Sequence, residues 1–189
     1  LTGLLSLIER LPLAECGQVK TVRALNRLMP HGDWYGEALG IKMSDEESGE
    51  LTLAFSMLDI SEKSLEGEFD SRCPICATKE NTIDVIHEKM EADGISFNTE
   101  EMKPPHHVPA DSDFVKTLLS AYEKYSGRKG ECIAIGGGTY VHDLKNGVAF
   151  GAALPETENH MHGPDEFAVV DELTMSAKIF AQVIVDLCC

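Results

Sequence analysis

No run of apolar residues in this chain is long enough to cross a bilayer. No leader with a basic start, an apolar middle and a small-residue cleavage site is visible. Positive charge is scarce: 16 Lys and Arg stand against 32 Asp and Glu, a formal net charge of -16. That deficit argues against nucleic acid, whose phosphates demand Lys/Arg surfaces, and against an anionic membrane surface. The Gly-x-Gly-x-x-Gly and P-loop spacings of nucleotide sites are absent. So are internal repeats, low-complexity tracts and a second Cys-x-x-Cys that would complete a zinc knuckle.

What is present is the composition of an ordinary globular protein, 43% hydrophobic and 25% charged over 189 residues. That length suits one large domain or two small ones. Six cysteines stand at Cys16, Cys73, Cys76, Cys132, Cys188 and Cys189. Their spacing is not that of a small disulfide scaffold, and a chain with a core needs no stapling. They read as free thiols of a reducing, cytoplasmic compartment. Cys73-Pro74-Ile75-Cys76 directly follows an extended segment, unlike a thioredoxin pair that opens a helix, and reads as incidental thiols at a strand end. The first residue is Leu1 rather than Met, which reads as a start other than the natural one.

The apolar spacing predicts helices over Thr2–Arg10 and Val19–Met29, the second stopped by Pro30-His31-Gly32-Asp33. Asp45 to Gly49 is a polar turn. Leu51–Leu58 alternates as a half-buried strand, and Leu65–Cys73 reads as its antiparallel partner across the turn Glu62-Lys63-Ser64. A helix over Thr78–Asp93 stopped by Gly94, and a third strand over Ile95–Met102, follow. Three prolines between Lys103 and Pro109 mark a connector. Beyond it, Asp111-Ser112-Asp113 caps a helix to about Tyr125. Cys132–Ile135 and Val148–Ala153 read as buried strands, and Asp171 caps a last helix to about Leu187. The predicted fold class is therefore an α+β portion over 1–105 followed by an α/β portion over 108–189.

Three groups of residues carry chemistry. Glu158-Asn159-His160-Met161-His162-Gly163-Pro164-Asp165-Glu166 places two imidazoles one residue apart before a turn and two carboxylates. In an extended segment both rings face one side. Both then chelate a metal, or one binds while the other packs, or the two form a hydrogen-bonded surface pair. Gly136-Gly137-Gly138-Thr139 after a strand lets a ligand approach backbone N–H groups, or is simply a mobile turn. Asp70-Ser71-Arg72 ends a strand, where an arginine either clamps a carboxylate through two parallel hydrogen bonds or is an ordinary surface charge.

The order of these groups resembles the zinc metallopeptidases related to aminoacylase, carboxypeptidase and carnosinase, most closely their bacterial branch of Xaa-His dipeptidases. The resemblance covers essentially the whole chain and is most specific in its last third. It implies that 1–105 is part of a lid domain, of the kind that forms homodimers in relatives, and that 108–189 is the C-terminal portion of a catalytic domain. It implies His162 as a zinc ligand. It also implies Arg72, Gly138, Thr139 and His142 as residues that contact a dipeptide substrate. Two departures stand out: the family loop often runs on to an arginine where His142 stands here, and an aromatic residue usually occupies the position of Cys73.

The family's two-zinc centre also uses a His-x-Asp motif, a bridging Asp, a Glu-Glu pair and a further acidic ligand. The sole His-x-Asp here is His31-Gly32-Asp33 at a helix stop, and the pairs Glu46-Glu47 and Glu100-Glu101 fall in the lid portion. The expectation is a fragment of a dinuclear-zinc dipeptidase, inactive alone, whose missing N-terminal part supplies the base and the other ligands. The alternative is a non-catalytic binding or dimerisation module of the lid type that uses no metal.

Overall fold

Helices, rather than sheet, make up most of the regular structure in the computed structural model, which describes residues 1–151 and 154–189. The order is α1 (Thr2–Glu9), α2 (Gly17–Leu28), β1 (Ser44–Asp45), β2 (Gly49–Glu50), β3 (Thr52–Ile60), β4 (Leu65–Arg72), α3 (Ile83–Ala92), α4 (Asp113–Ser126) and α5 (Val170–Cys188). A short 3-10 turn over Tyr140–Asp143 lies between the last two helices. Among the described residues, strands occur as two antiparallel pairs, β1 with β2 and β3 with β4. No helix among the described residues is long and apolar enough to cross a membrane.

The chain divides into two compact units, Leu1–His106 with Ala134–Gly137, and His107–Ile133 with Gly138–Cys189. In the first, Leu51 just before β3 and, by alternation along β3, Leu53 and Phe55 point inward. There they join Leu5 of α1, Val22, Leu25 and Leu28 of α2, and Ile86 and Met90 of α3. The β3–β4 register runs from Thr52 opposite Arg72 to Ile60 opposite Leu65, with a bulge between Phe55 and Met57. Gln18 of α2 ties down the hairpin tip by donating to the carbonyls of Ser61 at 3.2 Å and Glu62 at 2.6 Å.

The expected third strand over Ile95–Met102 does not form. Phe97 stacks on Phe69 at 5.6 Å and meets the His87 ring at 4.9 Å. His87 Nε2 reaches the carbonyl of Thr99 at 2.9 Å, so side-chain packing and a side-chain partner replace a strand ladder. Helix α3 also begins five residues later than its periodicity predicts. The Asn81 side chain accepts from the Thr78 N–H at 2.7 Å and donates to the Cys76 carbonyl at 3.0 Å, which holds a turn where the helix would start.

In the second unit α4 and α5 pack through Leu118, Ala121, Ile179 and Val183, with Val148 and Phe150 against them. Ser112 caps α4 by accepting from Val115 N at 3.3 Å, and Gly127 ends it in the left-handed conformation. Helix α5 starts without a side-chain cap; Asp171 lies in its first turn instead, where its charge suits the helix dipole. The strand expected over 148–153 is absent at 148–151, and Ala152 and Ala153 lie outside the described residues. The strand expected over Cys132–Ile135 is absent too, and Ile133 stands 80% exposed. A strand needs a hydrogen-bonding neighbour, and among the described residues none pairs with these segments.

Leu51 is fully buried where β3 enters the core. Leu51→Ala is expected to destabilise the first unit by about 2–5 kcal/mol, read from the shift in denaturant midpoint at unchanged slope.

Candidate functional site

Arg72 is the last residue of β4, and its pairing with Thr52 fixes its backbone. The side chain is exposed and crosses to the glycine run, where Nη1 donates to the Gly136 carbonyl. A Cβ added at Gly136 would lie 2.8 Å from Arg72 Cδ and 3.3 Å from Nη1, so a larger residue there would make the arginine side chain shift. At Gly137 the same test gives 3.9 Å to Nη1. The strand-end arginine and the start of the glycine loop thus meet within the first unit.

The turn after Arg72 is gripped from elsewhere in the same unit. Asp45 and Ser48 sit on the β1–β2 hairpin, which leads straight into β3. The Asp45 carboxylate accepts from the N–H groups of Glu47 at 3.0 Å, Ser48 at 2.6 Å and Cys76 at 3.2 Å, and from Ser48 Oγ at 2.8 Å. Ser48 Oγ in turn accepts from Ile75 N at 2.8 Å. The backbone and hydroxyl hydrogen bonds from Ser48, with those from Cys76 and Glu47, hold the Asp45 carboxyl down to a pKa of about 2. The Cys76 thiol is pushed up, first by desolvation and then by the neighbouring Asp45 charge, which is the opposite of what a redox nucleophile needs. Both Cys73 and Cys76 are free thiols. Reading Asp45 to Gly49 merely as a polar turn misses this role; the signal present in the sequence is Asp-x-x-Ser-Gly, an aspartate placed to bind backbone N–H groups ahead of it.

Asp33, the acid of the only His-x-Asp, is likewise committed to backbone. Burial pushes its carboxyl up, but N–H groups of Ala38, Glu37, Tyr35 and Gly36 outweigh this and leave it below the usual range. Ala38 donates to it at 2.8 Å and Glu37 at 3.0 Å.

In the second unit, Gly138 leads into Thr139 and the turn Tyr140–Asp143. A Cβ at Gly138 would meet nothing within 4 Å, so open space faces its backbone. The Thr139 N–H donates to His142 Nδ1 at 3.0 Å, and His142 N donates to the Thr139 carbonyl at 3.3 Å. Nδ1 also lies 3.1 Å from the Thr139 carbonyl, so this side of the ring faces the Thr139 backbone. Tyr140 beside it is 95% exposed.

His160 and His162 lie in a tight reversal rather than the expected extended segment. His160, His162 and Asp165 all have left-handed φ, at 56°, 63° and 58°. Gly163 N donates to the His160 carbonyl at 2.7 Å, and Met161 N to Asn159 Oδ1 at 3.2 Å. The alternation that would aim both rings one way is therefore lost. His160 instead packs edge-on against Phe167 at 5.8 Å, while His162 is exposed. Among the described residues, no three His, Cys, Asp or Glu side chains come together as a group able to hold a metal ion.

No protein-family model matches the chain. It is 40% identical over 159 residues to the "Putative dipeptidase YtjP" of Bacillus subtilis (strain 168), a match covering 82% of this chain and 33% of the relative. It is 35% identical over 159 residues to the "Beta-Ala-Xaa dipeptidase" of Lactobacillus delbrueckii subsp. lactis, covering 83% and 33% respectively. A third relative, from Staphylococcus epidermidis (strain ATCC 12228 / FDA PCI 1200), is 31% identical over 155 residues and is again named as a dipeptidase. The chain spans about a third of the length of these curated relatives.

Two expected outcomes follow from the geometry. Gly136→Ala displaces the Arg72 guanidinium, so the Arg72 Nε–H resonance moves in a 15N NMR spectrum while the Gln18 side-chain amide at the hairpin tip does not. For Asp45 the folded pKa of about 2 lies below the ordinary 3.8. The carboxylate therefore stabilises the fold fully above about pH 4, and that contribution disappears as pH falls through about 2. The stability gap between wild type and Asp45→Asn, from denaturant titrations, should close over that window.

Proposed function

The chain belongs to the family of these bacterial dipeptidases, and we propose that it is part of an enzyme that hydrolyses dipeptides with a free C-terminal carboxylate. The observation that carries the reading is the meeting of Arg72 with the glycine run, in a chain similar to dipeptidases over four-fifths of its length. An exposed guanidinium at a strand end is suited to a small anionic substrate. In this reading 1–105 is a portion of the lid domain and 108–189 the C-terminal portion of the catalytic domain. The Lactobacillus relative's name points to β-Ala-Xaa dipeptides as a substrate class to try first.

Arg72 fixes the substrate. One of its N–H groups is given to the neutral Gly136 carbonyl. A carboxylate is a charged, two-oxygen acceptor and roughly twice as strong a partner as a neutral one. It takes over the planar fork and sets which amide bond lies at the reacting position. Gly138 offers N–H access from open space. His142 is held beside this loop through Nδ1 and the Thr139 backbone.

The cofactor proposed for the whole enzyme is a pair of zinc ions. When bound, zinc supplies Lewis acidity toward the scissile carbonyl and toward water. The donor chemistry of this chain fits one position: His162 is an exposed imidazole on a turn held by backbone bonds. A zinc centre needs three or four protein ligands, and no such group forms among the described residues. His162 therefore contributes a single ligand to a centre completed by residues outside this chain, as does the general base.

The longer protein that carries this chain, purified with zinc, should cleave dipeptides in a chelator-sensitive manner and hold two zinc ions per chain. His162→Ala should lower the zinc content measured by atomic emission and cut kcat by at least about 100-fold, by analogy with the larger effects of removing metal-site partners. Full activity with no metal loss in that variant would remove His162 from the centre. Absence of hydrolysis and of bound metal in the longer wild-type protein would favour a lid-type binding or dimerisation module instead.

A further inference from the structure

We propose that Asp45 and Ser48 are positioning residues that aim the Arg72 guanidinium, a role that rests on reading Arg72 as the residue that binds the substrate carboxylate. The argument is one of closure. Arg72 is held on its strand side by pairing with Thr52, and Thr52 is three residues after Gly49, the partner of Asp45 in the β1–β2 hairpin. On its other side, the chain leaves Arg72 through Cys73 and the fully buried Pro74 to Ile75 and Cys76. The N–H groups of Ile75 and Cys76 end on Ser48 Oγ at 2.8 Å and on Asp45 Oδ2 at 3.2 Å. Ser48 Oγ also hydrogen-bonds to both Asp45 oxygens at 2.8 Å. The hairpin, β3, β4 and the turn after Arg72 thus form a ring closed by two side chains.

The closure matters because of what the arginine has to do. A free carboxylate is bound best by two parallel N–H···O bonds in one plane, and that geometry tolerates little rotation of the strand end. Arg72 is exposed, and beyond its bond to the Gly136 carbonyl little packing orients it. Its reach depends on where β4 stops and how the following turn leaves. Nothing else about Asp45 suggests a chemical role of its own: its oxygens are filled by backbone and hydroxyl donors, and its charge suppresses rather than activates the neighbouring thiol.

The test compares kcat/KM of the longer protein that carries this chain on a dipeptide and on the same dipeptide as its C-terminal amide. Ser48→Ala and Asp45→Asn should lower the carboxylate-to-amide preference on the order of 10-fold to 100-fold, through KM, with kcat on the amide unchanged. Ser48→Thr, which keeps the hydroxyl, should restore the preference. Asp33→Asn removes a comparable set of backbone bonds from another loop of the same unit and should leave the preference intact. If Arg72→Ala abolishes the preference while the Ser48 and Asp45 variants keep it, the positioning role is wrong and the reading of Arg72 survives. If Arg72→Ala itself leaves the preference unchanged, the reading of Arg72 fails first. An equal loss in Asp33→Asn would show a general loosening of the unit and would also overturn the proposal.

Discussion

The pairing of β3 with β4 is the constraint on which the first unit depends. Its register sends Leu53 and Phe55 into the same core as α1, α2 and α3, and sets Arg72 opposite Thr52 at the end of the ladder. Because side chains alternate along a strand, a slip of one residue would turn that whole apolar set to solvent. The bulge between Phe55 and Met57 is compatible with this, since it falls after the buried residues. A short hairpin alone is marginal in water; here the helices make it a layer with one covered face.

The second unit has a different balance. Its core rests on the contact between α4 and α5, joined at the polar edge by Lys124 and Tyr125, both of which donate to Gln182 Oε1. Helix α5 buries Ser176, Ile179 and Val183, yet also presents Leu173, Phe180, Ile184 and Leu187 to solvent. A helix that is apolar on more than one side is the pattern of a helix buried in a large protein.

Local signals were legible in the sequence wherever one interaction dominates. The stripe of α2, the alternation of β3 and the cap in Asp111-Ser112-Asp113 each rest on periodicity or on a local backbone preference, and they reappear with small shifts at the ends. Segments that take their form from distant partners were not legible. Ile95–Met102 has strand composition but follows Phe97 into the rings of Phe69 and His87. Cys132–Ile135 has the composition of a buried strand, with no described neighbour to pair with. Around His160 and His162 the sequence marked a turn at Gly163-Pro164, but the left-handed residues are not glycines, so it did not show that the reversal begins at His160. The grip of Asp45 and Ser48 on residues about thirty positions later was hidden for the same reason: the sequence shows the turn and not what the turn holds.

Gly136 and Arg72 share one small volume. The space that a methyl group would take at residue 136 is the space through which the guanidinium passes. A side chain at residue 136 would compete with the Arg72 side chain for that volume, and the exposed arginine would have to swing aside to make room. One contact thus ties the spatial freedom of a loop to that of a strand end 64 residues earlier in the chain.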